Sequence, residues 1–228
     1  KNHKLIFLIY FMNIDVDKAK NTYKNNYWGN LNTKVLSAYN LKSTWLHIYV
    51  PHPKISSAFK ARSILNDINL ISKYEKHFFV ESFLSIKIIF KSIYIWIKLI
   101  PKIIFINKKL FSNKKNFIFF NILEKNLKRY FYGTGFALDI LFHNLFLSLN
   151  LKNYKTCFYL MENQSWEKSL LHNWKKNNFN NICGVAHSTI RFWDLRYFYF
   201  QNKFKSTYQK PNYIIANGPY SHNLLNTI

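Results

Sequence analysis

Glycine, cysteine, arginine and acidic residues are all scarce in this chain, and each shortage narrows what the protein can be. Of the five glycines, only Gly133 and Gly135 stand close together, as Gly133-Thr134-Gly135. A lone GxG with no strand before it is a weak phosphate-binding signal, so it reads as a break between helices more readily than as a phosphate turn. The two cysteines, Cys157 and Cys183, lie inside apolar runs with no CxxC and no companion His/Cys cluster. That spacing gives no zinc-ligand pattern and points to buried thiols in a reducing compartment. The ten acids are scattered without a DxD, so no metal site is expected. No signal peptide is recognisable: "KLIFLIYFMN" runs into Asp15 and Asp17 where a small-residue cleavage site would be needed. No internal repeat or low-complexity linker interrupts the chain.

What is present is apolar and basic. Hydrophobic residues make up 49% and aromatics 19% of the 228 residues, far more than a disordered chain carries. That length supports one large domain or two small ones. The formal net charge is +23, which points to an anionic partner such as nucleic acid or a membrane surface. Nearly all of it is lysine; the arginines are Arg62, Arg129, Arg191 and Arg196. Lys, Asn, Ile, Phe and Tyr are the residues of A/T-rich codons, so codon bias with a solvated surface is the competing account of the charge.

Hydrophobic periodicity predicts alternating strands and helices. "KLIFLIYFMNID" reads as a buried strand and "YWGNLNTKVLSAYN" as a helix through Leu31, Val35, Leu36 and Tyr39. "TWLHIYV" is a second strand closed by "PHP". "SSAFKARSILNDINLI" is a Ser-capped helix with Phe59, Ile64, Leu65 and Ile68 on its apolar side. "KHFFVESFL" is either a third strand or the approach to the next helix. From Ser82 to Ile106 the chain is at its most apolar, yet Lys87, Lys91, Lys98 and Lys102 fall within roughly 60° on a wheel turning about 100° per residue. Ammonium groups at mid-bilayer cost about 2.5–3.5 kcal/mol each, which argues against a spanning helix. The stripe predicts an amphipathic helix, either buried on its broad face or lying on an anionic membrane. "FFNILEKNLKRYFYGTGFALDILFHNLFLSL" follows as one or two helices. "KTCFYLM", the helix "SWEKSLLHNWKKN", "NICGVA" and "NYIIA" then give a strand–helix–strand–excursion–strand pattern, which implies a parallel sheet covered by helices.

Parallel sheets gather ligands at the carboxyl ends of their strands. Three such ends are polar: Glu162-Asn163-Gln164-Ser165-Trp166-Glu167 after "CFYLM", His187 to Arg196 after "ICGVA", and Asn217-Gly218-Pro219 after "YIIA". Two of the four arginines lie here, and a guanidinium fork suits phosphate or carboxylate. His187 and Glu162 are the candidate catalytic groups. Asn163, Glu167, Ser188, Thr189, Arg191, Asp194, Arg196, Asn217 and Gly218 are the candidate ligand-binding residues. Structural roles stand beside these: Glu167 as a helix-start acid, Asp194 as the ion-pair partner of Arg191 or Arg196, His187 as a satisfied structural imidazole, and Trp166, Phe192 and Trp193 as packing.

At "YLMENQSWEKSLLHNWKK", "GVAHSTIRFWDLRYF" and "PNYIIANGPYSHNLL" the chain resembles bacterial surface carbohydrate biosynthesis proteins, which look like glycosyltransferases of the two-domain GT-B architecture. "YWGNL" and "STWLHIYV" resemble that family's opening segment, so the likeness covers most of the chain. The His187 strand end also resembles, more distantly, the Gln-His-Gly strand end of capsule-polysaccharide transferases, with Ser188 where that group has Gly and Pro211-Asn212 where it has Pro-Asp. The resemblance implies an α/β fold, a Rossmann-like parallel sheet with flanking helices, forming the N-terminal, acceptor-side half of a GT-B enzyme. Residues 1–228 would be one such domain with a helical insertion at about 82–150, and the donor domain would lie beyond Ile228. The implied activity is sugar transfer in lipopolysaccharide O-antigen or capsule assembly, from a nucleotide-sugar donor, as substrate and with no cofactor, to a glycan or lipid-linked acceptor. The fragment alone would be inactive. The implied location is cytoplasmic, peripheral to the inner membrane through contact with anionic lipid, with no nucleic acid bound. Two other functions remain open, a non-catalytic scaffold of a polysaccharide assembly complex and a basic nucleic-acid-binding module.

Overall fold

The computed structural model describes residues 4–11, 14, 23–29, 31, 34, 36, 39–111, 118–162, 164–177, 180–186 and 210–226. They divide into two compact units, residues 84–149 and the remainder of the chain.

The larger unit is built on one sheet. Its strands are β1 (Lys4–Tyr10), β2 (Lys42–Ile48), β3 (Glu75–Phe79), β4 (Thr156–Leu160), β5 (Asn181–Val185) and β6 (Tyr213–Ile215). All pair in parallel in the order β3-β2-β1-β4-β5-β6. Parallel neighbours need crossovers, supplied by helices α1 (Ala58–Ile71) between β2 and β3 and α5 (Ser165–Asn177) between β4 and β5. This is the α/β, Rossmann-like sheet with flanking helices that the strand–helix alternation implies.

Alternation along each strand sends side chains to two cores. Phe7, Ile9, Trp45, Phe79 and Leu160 pack with Ala61, Leu65 and Ile68 of α1. Phe7 anchors this layer, stacking at 4.2 Å on Trp45 and 5.1 Å on Phe158. The opposite pleat buries Ile6, Leu8, Leu46, Cys157 and Tyr159. There Trp166 of α5 meets Tyr10 and Tyr159 edge-on. Both cysteines are buried free thiols, and burial pushes each thiol pKa up. Gly184 of β5 is closely packed in this layer: an added Cβ would lie 3.1 Å from both the Tyr159 hydroxyl and the Met161 sulfur, which would have to give by a few tenths of an ångström.

Two expectations about apolar faces need correction. Phe59 is 87% exposed, since α1 buries the stripe Ala61, Leu65 and Ile68, and a residue two positions before Ala61 lies about 200° round the helix. Tyr39 is likewise exposed at 74%, while Leu36 is buried. Ser57 stands at the N-cap of α1 but makes no side-chain cap hydrogen bond. By contrast Trp166, Leu170, Leu171 and Trp174 all lie on the buried side of α5 as their spacing predicts.

The smaller unit contains helices α2 (Ile86–Phe111), α3 (Ile118–Tyr132) and α4 (Thr134–Ser148). "FFNILEK…LFLSL" is therefore two helices, broken at Gly133, where an added Cβ would strike the Arg129 carbonyl. α2 continues through Pro101. It buries Ile88, Ser92, Ile103 and Asn107, a narrow stripe and not the broad face. Ser92 in that stripe is paired: Asn144 Nδ2 of α4 donates to Ser92 Oγ at 3.0 Å, and the Ser92 hydroxyl donates to the Ile88 carbonyl at 2.7 Å, whereas Asn107 Nδ2 is buried with no hydrogen-bond partner among the described residues. No helix among the described residues is long and apolar enough to cross a membrane.

Candidate functional site

The strand order reverses between β1 and β4. From there the chain steps outward through β2 and β3 on one side and through β5 and β6 on the other. In an open parallel sheet the crevice above such a reversal is where a ligand fits, because the connections on its two sides diverge and leave the carboxyl ends uncovered.

Tyr10 closes β1 at this crevice, and Met161-Glu162 continue from β4. Trp166 Nε1 donates to the Tyr10 hydroxyl oxygen at 2.8 Å. Burial pushes the Tyr10 pKa up to about 12, aided by the negative charges of Glu162 and Glu167 and opposed by the Trp166 hydrogen bond. Tyr10 is therefore a neutral phenol near pH 7, with its oxygen already accepting a bond and its own proton able to be donated. Burial also raises the Tyr27 pKa, with the Glu162 charge as the second cause, so Tyr27 and Glu162 share one neighbourhood. Tyr27 sits in a turn built by Asn25, whose Oδ1 accepts the amides of Tyr27 at 2.8 Å and Trp28 at 3.2 Å. Gly29 closes that turn with φ +52°, a left-handed conformation that costs glycine little. Trp28 lies against Phe7, Trp45 and Phe158, holding the turn to the β1–β4 part of the sheet.

The loop between β4 and α5 is shaped by Glu167. Its Oε1 accepts the amides of Glu162 at 2.8 Å and Gln164 at 2.7 Å, while its own amide donates to the Gln164 carbonyl at 3.2 Å. A carboxylate three positions into a helix that reaches back to amides before the first turn is one half of a capping box. Glu167 is 5% exposed and fixes the backbone that presents Glu162. The structural role weighed for this residue from the sequence is therefore the one its contacts describe.

β4, β5 and β6 are adjacent, so the three polar strand ends leave the sheet at one edge. The Ala186 amide donates to the Ile215 carbonyl at 2.9 Å, carrying the β5 end alongside β6. Asn163, His187, Ser188, Thr189, Arg191, Asp194 and Arg196 lie outside the described residues, as do Phe192 and Trp193. Asn217 and Gly218 precede helix α6 (Pro219–Asn226). The Ser221 hydroxyl donates to Asn217 Oδ1 at 2.7 Å and the His222 amide to the Gly218 carbonyl at 3.0 Å, so both residues help start that helix. Among the described residues no group of three or more His, Cys, Asp or Glu could hold a metal ion.

Tyr10 and Glu81 belong to this edge and were not singled out from the sequence. Glu81 follows β3 in a 3-10 turn (Val80–Phe83), and its Oε1 accepts the Tyr49 amide at 3.1 Å beyond the end of β2. Burial raises its pKa, and its Oε2 is buried with no hydrogen-bond partner among the described residues. Three strand spacings of about 4.8 Å each separate the β3 and β4 lines, too far for Glu81 and Glu162 to act as a carboxylate pair on one atom. Their common signal in the sequence is a polar or amphipathic residue closing an apolar strand run.

No family model, curated protein or solved structure matches this chain.

Proposed function

We propose that this protein is the acceptor-side domain of a glycosyltransferase acting in surface polysaccharide assembly. Glu162 serves as the base that takes a proton from the acceptor hydroxyl, and Tyr10 donates a hydrogen bond to the same substrate. The observation that supports the reading is that Tyr10 and Glu162 follow the adjacent strands β1 and β4 at the reversal, close enough for the Glu162 charge to act on the Tyr10 phenol. A carboxylate beside a phenol that keeps its proton provides one acceptor and one donor, which is what a sugar hydroxyl needs to be oriented and deprotonated. The resemblance of the strand-end sequences to surface carbohydrate biosynthesis proteins supplies the substrate class. Within this reading His187 is the alternative base, and Arg191 and Arg196 stabilise charge on a phosphate-bearing donor, which binds as substrate and needs no cofactor.

The test is sugar transfer by the protein in the length its gene encodes, using labelled nucleotide sugars and a lipid extract as acceptor source. Glu162→Gln is expected to lower kcat by about 100-fold or more, in the range of a lost general base, while Tyr10→Phe acts more weakly and mainly on KM. Transfer at the wild-type rate by Glu162→Gln removes the assignment of the base. Absence of any transfer with every donor removes the transferase reading.

A further inference from the structure

Helix α2 has three faces, and only one of them is covered. On a wheel of about 100° per residue, Ile86, Phe90, Ile93, Ile97 and Ile104 fall within roughly 60° of one another. Lys87, Lys91, Lys98 and Lys102 form a second stripe of the same width, centred about 120° away. The buried stripe of Ile88, Ser92, Ile103 and Asn107 occupies the remaining third. The apolar stripe is open: Ile86 is 73% and Phe90 68% exposed, and Ile93, Ile97 and Ile104 are exposed as well. Tyr94, also exposed, stands between the apolar and lysine stripes, with Lys98 Nζ 5.9 Å from its ring centroid.

We infer that this face of α2 docks the protein in the plane of a bilayer rich in anionic phospholipid. An aliphatic stripe bordered by tyrosine and lysine matches the sequence of environments from acyl chains through the interface to charged headgroups. The lysine stems run along the edge of the apolar surface while their ammonium groups reach the headgroup phosphates. Stripe length agrees: Ile86 to Ile104 covers about 27 Å of helix at about 1.5 Å per residue, enough to lie along the surface as a unit. Charge selects the partner. Residues 84–149 carry Glu124 and Asp139 as their only acids against ten lysines and one arginine, within a chain of net charge +23. A second copy would bring another strongly basic unit alongside without neutralising either lysine stripe, whereas anionic lipid neutralises the charge. The inference rests on the smaller unit alone and does not depend on the transferase reading.

Vesicle co-sedimentation of the 228-residue chain tests it, using phosphatidylcholine vesicles with and without about one-third phosphatidylglycerol. Binding is expected to the anionic vesicles only. The triple variant Lys87→Glu, Lys91→Glu, Lys98→Glu should weaken partitioning about tenfold or more. The pair Phe90→Ser, Ile97→Ser should weaken it about tenfold while leaving retention on heparin unchanged. These side chains are exposed, so circular dichroism and the melting temperature should match the wild type. Equal binding to neutral vesicles, or no binding to anionic ones, overturns the inference. Lipid binding that survives Phe90→Ser, Ile97→Ser and tracks heparin retention also overturns it, because bulk charge would then be sufficient. Sedimentation showing a dimer that the serine pair dissolves, with lipid binding unchanged, assigns the face to self-association and overturns it as well.

Discussion

His47 and His77 show how much a single buried side chain can govern. His47 Nε2 and His77 Nδ1 approach to 3.1 Å, and His77 Nε2 lies 3.2 Å from the Glu75 carboxylate. All three are buried, and Tyr23 packs over the His77 ring. Burial pushes the His77 pKa down to about 3, with the neighbouring Lys76 charge adding to it; burial lowers that of His47 as well, helped by His77. Both imidazoles are neutral in the folded protein at pH 7, and in the unfolded chain they take up protons near the ordinary value of about 6.5. The unfolded state therefore binds more protons below that pH. Stability is fully present above about 6.5 and falls as the pH drops towards the folded value of about 3 for His77. Denaturant unfolding at a series of pH values should show the midpoint falling as the pH is lowered from about 7 to about 5, and His77→Asn should flatten that slope. A wild-type midpoint constant across that range would show that the pair is not held neutral. "TWLHIYV" reads as a buried strand and so places His47 in a sheet, whereas "KHFFVESFL" leaves His77 open between a strand and the approach to a helix, and only the structure makes it β3. The contact between the two imidazoles depends on the pairing of β2 with β3 and could not be read from either strand alone.

At the scale of elements, helix starts decide where the site lies. The acid after "YLMENQSW" was readable as a helix-start residue, and its contacts make it the brace of the β4–α5 loop. Glu167→Ala should cost about 1–3 kcal/mol, the penalty for leaving buried amides unpaired, measured by denaturant unfolding. A purely ligand-contacting Glu167 would show no such loss. α1 teaches the opposite lesson. Its sequence offers Phe59, Ile64, Leu65 and Ile68 as an apolar side, but the helix turns on Ala61 and leaves Phe59 in solvent. Periodicity locates the helix and its approximate face. The small residue that permits close approach to the sheet fixes the rotation. α2 goes further, because its most hydrophobic residues are left uncovered while a stripe containing Ser92 and Asn107 is buried.

For the whole molecule, charge is the dominant property. A net +23 on 228 residues places like charges close together on the surface, and their repulsion opposes compactness. Raising salt from about 0.02 M to about 0.5 M shortens the screening length from roughly 20 Å to below 5 Å. The melting temperature should therefore rise by several degrees, by about 2–6 °C, when followed by calorimetry or circular dichroism. A melting temperature that falls with salt would mean that attractive pairs outweigh the repulsion. A cavity of about 300 Å³ at the amino ends of β1, β2 and β3 illustrates the excess, with Lys4, Lys42, Lys73 and Lys76 on its walls.

The alternation of strands and helices along the chain, with the third strand left open, the parallel α/β class, the break at Gly133 and the buried thiols followed from the sequence alone. Each depends on local periodicity, backbone preference or the hydrophobic character of a short run. The order of the strands across the sheet was decided only by the tertiary structure, and with it the β1–β4 reversal where the Glu162 charge reaches Tyr10. So were the rotation of α1 and the uncovered face of α2. These depend on which surfaces meet across long stretches of chain, and a sequence pattern specifies a face without naming the face it will find.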